Sequence, residues 1–250
     1  MNPASQDGDS ETALCVFPGA CQTPDMADGA KRQLETLFIR DAAGRIISTR
    51  EPQPKSGPVF ILIRSATECA WAIHTDISTA VADELNRLAR EELPISNFHE
   101  VPLHADRYTS LLGGKVRSGP AFTFPQTITQ PPDTVLIEDE QLLARHFTGW
   151  VPGEIRAGRA PVMAVIQHGF PVSVCLCARR SKVAAEAGVE TAPAFRGRGY
   201  GARVTAAWAL AVRASHRIPL YSTDWSNVPS LALARKLGLE IYAADWSIYA

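Results

Sequence analysis

The chain has 250 residues, 46% of them hydrophobic, and a formal net charge of −1. That suffices for one large or two small domains with a real core, and the near-neutral balance gives no field for nucleic acid or an anionic membrane. No apolar run approaches the ~18 residues needed to span a bilayer, and the opening MNPASQDGDSETALCVFPGA lacks the basic start and apolar core of a signal peptide, so a cytoplasmic protein is expected.

Residues 1–33 are polar and rich in Gly, Pro, Asp and Ser, and predict a mobile tail. LFIRDAAGRII (37–47) predicts a hairpin turning at Asp41 and Gly44, and PVFILIR (58–64) a buried strand. Ile77, Val81, Leu85 and Leu88 recur at steps of three and four, which predicts an amphipathic helix over 77–92 with Asp76 as its N-cap. The proline-rich GPAFTFPQTITQPPD (119–133) breaks the pattern and marks a boundary between a 34–130 α/β region and a 131–250 domain. Beyond it, 134–139 reads as a strand, 140–147 as a helix, and 161–180 as a hairpin turning at His168-Gly169. Cys175 and Cys177 fall on one face of that hairpin, a poor arrangement for a disulfide, and no second pair completes a zinc set. AAEAGVET (184–191) is a strand, 200–214 a helix with Val204, Trp208 and Val212 at steps of four, and 218–223 a strand. A helix over 228–237 follows, with Asn227 as N-cap and Gly238 just past its end, and LEIYAADWSIY (239–249) closes as a long strand or a strand pair.

The densest stretch is TAPAFRGRGYGARV (191–204). Glycine accepts positive φ and lets other atoms approach the backbone. Free N–H groups at a helix start, with the helix dipole and Arg196 and Arg198 beside them, form an anion site. The bland alternative is a glycine-rich turn with surface arginines. A P-loop is rejected, because Gly201-Ala202-Arg203 stands where Gly-Lys-Ser/Thr is needed. A dinucleotide fingerprint fits formally at Gly197, Gly199 and Ala202 with Asp224 downstream, but Thr191 is separated from Gly197 by a proline-containing linker, and the remaining chain is too short for a doubly wound sheet.

The signature Arg/Gln-x-x-Gly-x-Gly/Ala fits as Arg196, Gly199 and Gly201. Here the sequence resembles the GNAT superfamily of N-acetyltransferases, through VETAPAFRGRGYGARV and, in the right order behind it, LYSTDWSNVPSLALARKLGLEIY. The resemblance covers about 131–250. It implies an α/β (α+β) fold: a mixed, mostly antiparallel sheet flanked by helices, with the N-terminal α/β region as an added domain or a degenerate copy. It further implies acetyl-CoA as co-substrate. Its pantetheine would lie along Val189, Glu190 and Thr191, and its pyrophosphate against Arg196, Gly197, Arg198, Gly199, Tyr200, Gly201 and Ala202. Asn227 and Ser230 would stand near the pantetheine arm, unless Asn227 is only a cap. The implied activity is acetyl transfer to an amine by direct attack, with a non-catalytic acyl-CoA-binding module as the alternative.

That reaction needs a base, an oxyanion donor and a proton for the leaving thiolate. Glu186 and Glu190, four apart on one strand, are the candidate bases; each has the alternative of a solvent-facing residue or an ion pair with Arg179 or Arg180. Many family members carry a tyrosine acid where this chain has Ala234, so Tyr221 or no side chain serves instead. His74, His99, His104, Asp76 and Asp106 show no recurrent ligand spacing, and no metal is expected. The expected partners are a small-molecule amine or a peptide acceptor, with a homodimer left open and no nucleic acid or membrane.

Overall fold

Residues 28–250 are described by a computed structural model. The chain begins with α1 (Gly29–Leu37), the hairpin β1 (Phe38–Arg40) and β2 (Ile46–Thr49), and the antiparallel pair β3 (Phe60–Ser65) and β4 (Cys69–Ile73). Then come α2 (Thr79–Ala89), α3 (Ala105–Leu112) and β5 (Lys115–Thr123). The second half runs β6 (Val135–Leu136), β7 (Met163–Gln167), β8 (Phe170–Arg180), β9 (Ala184–Thr191), α4 (Tyr200–Ala214), β10 (Ile218–Ser222), α5 (Val228–Lys236) and β11 (Glu240–Tyr249).

Nine strands form one sheet in the order β4-β3-β11-β5-β10-β9-β8-β7-β6. Every neighbouring pair is antiparallel except β9 and β10, which α4 joins as a crossover. On one face α4 buries Val204, Trp208 and Val212 against Cys175, Cys177 and Ala185. On the other, α1 packs Ala30, Leu34 and Leu37 against Ile61, Ala184 and Leu220. Leu85 and Leu88 of α2 and Tyr108 of α3 cover Phe60, Leu62 and Trp246. Among the described residues no helix is long and apolar enough to cross a membrane.

The predicted α4, α5 and β9 lie where periodicity and capping put them, and the end of the chain is a single long strand. Several expectations are corrected. The stretch read as a tail up to residue 33 is helical from Gly29, because Ala30 and Leu34 have a sheet face to cover; residues 1–27 lie outside the described part. Ser78, not Asp76, precedes α2, and Asp76 instead meets His74, 3.3 Å from its Nδ1. The strand at 134–139 shortens to β6, and the helix at 140–147 to a 3-10 turn over Glu140–Leu143. Neither β4 nor α3 was expected.

The proline-rich boundary holds a central strand. β5 belongs to the 34–130 region yet pairs between β10 and β11, so the sheet runs across the division drawn at 130. Pro120 is tolerated because its carbonyl faces the β10 side, where it accepts from Thr223 N at 3.3 Å beyond the end of that strand. No ladder bond to β11 is lost. A Cβ at Gly119 would lie 1.7 Å from the Thr223 carbonyl oxygen, so only glycine lets residues 223–225 lie down on β5. Gly119→Ala should therefore cost about 1–3 kcal/mol as an overpacking change. Gly149→Ala, where an added Cβ meets nothing within 4 Å, should stay within about 0.5 kcal/mol. Urea midpoints of the two variants measure the contrast, and equal midpoints would contradict it.

Candidate functional site

β9 and β10 pair over three positions only, Ile218 with Ala184, Pro219 with Ala185 and Leu220 with Glu186. They then diverge, and among the described residues no strand lies beside that edge of β9 beyond Glu186. A cavity of about 650 Å³ fills the opening. Ala187, Val189 and Thr191 wall one side, Tyr221 and Ser222 the other, and the first turn of α4 and one face of α5 close it.

The glycines explain the mouth of α4. Gly199 takes φ +77° at the N-cap with no side-chain cap, so the first amides of α4 have no intrahelical partner. A Cβ there would stand 2.9 Å from Lys236 Nζ, which comes in from the end of α5. Arg196 and Lys236 thus add positive charge to the dipole of a 15-residue helix.

Among the residues singled out from the sequence, Val189, Glu190, Thr191, Arg196, Gly197, Gly199, Tyr200, Gly201, Ala202, Tyr221, Asn227 and Ser230 line this cavity. Arg198 does not; its guanidinium lies 5.3 Å from the centre of the Phe195 ring and donates to the Ala194 carbonyl. Asn227 caps α5, accepting from Ser230 N at 3.3 Å, and lines the cavity as well. The Tyr221 hydroxyl and Ser230 Oγ are 2.6 Å apart. Burial pushes the tyrosine above its ordinary pKa, and the serine bond opposes the rise. Lys236, Leu233 and Phe195 were not anticipated; their signal lies only in the packing of α5 and the loop against α4.

Glu186 stands elsewhere. It is 4% exposed and faces the α1 side of the sheet, at the vertex of the splay. Its Oε2 accepts from Gln33 Nε2 at 3.0 Å and its Oε1 from Ser222 Oγ at 2.7 Å, with Arg179 Nη1 3.6 Å away. The Tyr242 hydroxyl donates to Gln33 Oε1 at 2.6 Å and fixes the amide. Glu190, by contrast, is exposed. A second cavity of about 250 Å³ opens on this face, lined by Arg117, Arg179, Glu186, Asp224, Asp245 and Tyr249 among others. Ser222 and Thr223 line both cavities, so the two adjoin through the splay. Asp224, the acid of the dinucleotide fingerprint, belongs to this second cavity and is bound by Ser226 N and Oγ, which removes it from the glycine loop and overturns that fit.

Residues 162–249, from β7 to β11 and including the splay and the glycine loop, match the family model of the GNAT acetyltransferases. Over this stretch the chain is similar to the GNAT acetyltransferases. No curated protein matches the chain. Similar solved structures include one assigned to the GNAT family from Novosphingobium aromaticivorans DSM 12444, with 21% identity, a TM-score of 0.45 and 53% of this chain aligned to 64% of that one. A GNAT-family acetyltransferase from Colwellia psychrerythraea has 14% identity, a TM-score of 0.46, and 72% and 76% of the chains covered. A tandem GNAT protein from the clavulanic acid biosynthesis pathway has 13% identity, a TM-score of 0.45, and 89% and 94% covered.

The cysteines of this region are poorly suited to a covalent intermediate. Burial raises Cys177 to about 11 and Cys175 well above its ordinary value, and Cys69 in the other half also stands at about 11. Among the described residues no three His, Cys, Asp or Glu side chains gather as a metal set. Trp71 and Tyr108 pack under α2 and α3 rather than at either cavity, and Trp225 stacks on His99 at 3.9 Å.

Asp245 on β11 is a further residue that no pattern in the sequence signals. Burial first, then the neighbouring Glu186 and Asp224 charges, raises it to about 7 from 3.8. A carboxyl raised on folding is protonated longer in the native state, so its contribution is complete below about pH 4 and is lost as pH climbs towards 7. Asp245→Asn should therefore raise the melting temperature at about pH 8 and lose that advantage towards about pH 4. Melting curves of both proteins across that range test the sign.

Proposed function

We infer that this domain moves an acetyl group from acetyl-CoA to an amine by direct attack. The splay carries the reading. It exposes the backbone groups along one edge of β9, which must find partners, next to a helix mouth built for an anion. An extended pantetheine arm suits the first as an added strand; a pyrophosphate suits the second. Acetyl-CoA would supply the thioester whose carbonyl the amine attacks and whose thiolate leaves. Val189 to Thr191 would hold the arm, and the amides of Gly197 to Ala202, with Arg196 and Lys236, the pyrophosphate. A free N–H of β9 suits the developing oxyanion.

Glu186 is the proposed proton acceptor. Both of its oxygens are engaged, so the route passes through Ser222: the amine proton goes to Ser222 Oγ while the serine proton moves to Glu186 Oε1. Gln33 and Arg179 hold the carboxylate for that transfer. Tyr221, inside the first cavity, is the proposed proton source for the thiolate, with Ser230 orienting its hydroxyl. Glu190, exposed at the cavity wall, is the weaker base. Ala234 in place of the family tyrosine favours one rival, a module that binds acyl-CoA without turnover.

Two variants separate these readings. Gly199→Glu places a bulky acid at a positive-φ position against Lys236, and should weaken acetyl-CoA binding by about two orders of magnitude in calorimetry. Unchanged affinity in a folded variant would remove the proposed pyrophosphate site. Glu186→Gln should keep acetyl-CoA affinity and lower amine-dependent CoA release by roughly 10²-fold or more. Undiminished turnover would remove Glu186 from the chemistry, and a wild-type protein that binds acetyl-CoA but releases no CoA with any amine would favour the module.

A further inference from the structure

The second cavity carries more charge than a proton acceptor requires. Arg179 meets Glu51 at 2.6 Å and Glu186 at 3.6 Å. Arg117 lies 3.8 Å from Asp224 and 5.6 Å from the centre of the Tyr249 ring. Three carboxylates, Glu186, Asp224 and Asp245, line the cavity against the two guanidiniums, leaving one negative charge when all are ionised, while Glu51, outside the lining, is shared between Arg179 and Lys55. Asp245 is the carboxylate left over. It is half-buried and lines the cavity, and among the described residues no other side chain hydrogen-bonds or ion-pairs with it. An unpaired carboxylate in a cavity calls for a cation. β11 brings it to the same cavity as Ser222 and Glu186, through which the first cavity is reached.

Resting on the acetyl-transfer reading above, we propose that the second cavity is the acceptor site for a small diamine, one amine presented to Ser222 and Glu186 for acetylation and the other, as a cation, held by Asp245. Asp245 selects the class: a second amine, as a cation, neutralises the one excess charge, whereas a monoamine presented to Ser222 leaves Asp245 unpaired and a zwitterion adds a negative charge. The groups that set the ionisation of Asp245 face it from several elements: Glu186 on β9, Arg179 on β8, Arg117 on β5, Asp224 after β10 and Tyr249 on β11 itself. Ionised Asp245 is the excess charge, so affinity for the diamine rises with pH around neutrality.

Binding, not turnover, is the test, so that failure of the acetylation reading does not decide it. The full chain is titrated calorimetrically with 1,4-diaminobutane, n-butylamine and 4-aminobutanoate, which share a four-carbon chain and differ in charge. The diamine should bind about tenfold more tightly than n-butylamine, the size of one charge-assisted contact, and 4-aminobutanoate no better than n-butylamine. Asp245→Asn should erase the preference while leaving acetyl-CoA affinity unchanged. In the wild type the preference should grow from about pH 6 to about pH 8 as Asp245 ionises, which keeps the test valid if the variant does not fold. Equal affinities for diamine and monoamine, a preference that survives Asp245→Asn, or one that shrinks with rising pH would each overturn the proposal. Acetyl-CoA binding with no CoA release, alongside a preserved diamine preference, would reject the acetylation reading and keep the binding site.

Discussion

β10 has two neighbours and can follow only one of them beyond Ser222. Its continuation, Thr223 to Trp225, hydrogen-bonds to Pro120 and Ser118 of β5, and Gly119 between them has no side chain to hold it off. That attachment draws the chain away from β9 after three paired residues. The gap is thus the consequence of a closer backbone contact on the other side. The exposed edge of β9, the cavity beside α4 and the meeting of the two cavities at Ser222 all follow from it.

The vertex of the gap is also where a carboxylate has been fixed. Glu186 lies at the last paired position, buried, and is held by a serine from β10, an amide from α1 and a guanidinium from β8. A charge so placed is tolerable only with such partners. Their geometry gives the carboxylate an outlet through Ser222 towards both cavities. On the α1 side the protein concentrates acidic groups; at the mouth of α4 it concentrates amides and cations. The two ends of the opening therefore differ in sign, in keeping with an anionic carrier entering on one side and a cationic acceptor on the other.

The site was unevenly legible. The glycine loop and Asn227 were found because helix starts and caps are local: glycine spacing, adjacent arginines and the onset of the α4 periodicity lie within a few residues of one another. Gln33 falls in the stretch that composition predicts as tail, and Asp245 in a closing strand whose pattern does not distinguish it. Gln33 lies 153 residues from the carboxylate it holds, and no short-range pattern records that distance. Lys236 was hidden in the same way, one more basic residue at a helix end until α5 is packed against α4. Glu186 and Glu190 share a strand, yet one is buried at the vertex and the other exposed, a difference set by where β10 departs.

By itself the sequence determined the αβ character of the second half, the glycine-rich helix mouth and the family that this half resembles, because propensity, capping and backbone freedom act over a few residues. The tertiary structure alone decided that β5 enters the sheet between β10 and β11, that α1 reaches back to orient Glu186, and that Asp245 lines the second cavity. Those arrangements depend on strand pairing and burial between segments far apart in the chain, whose energies exist only once the sheet has closed around them.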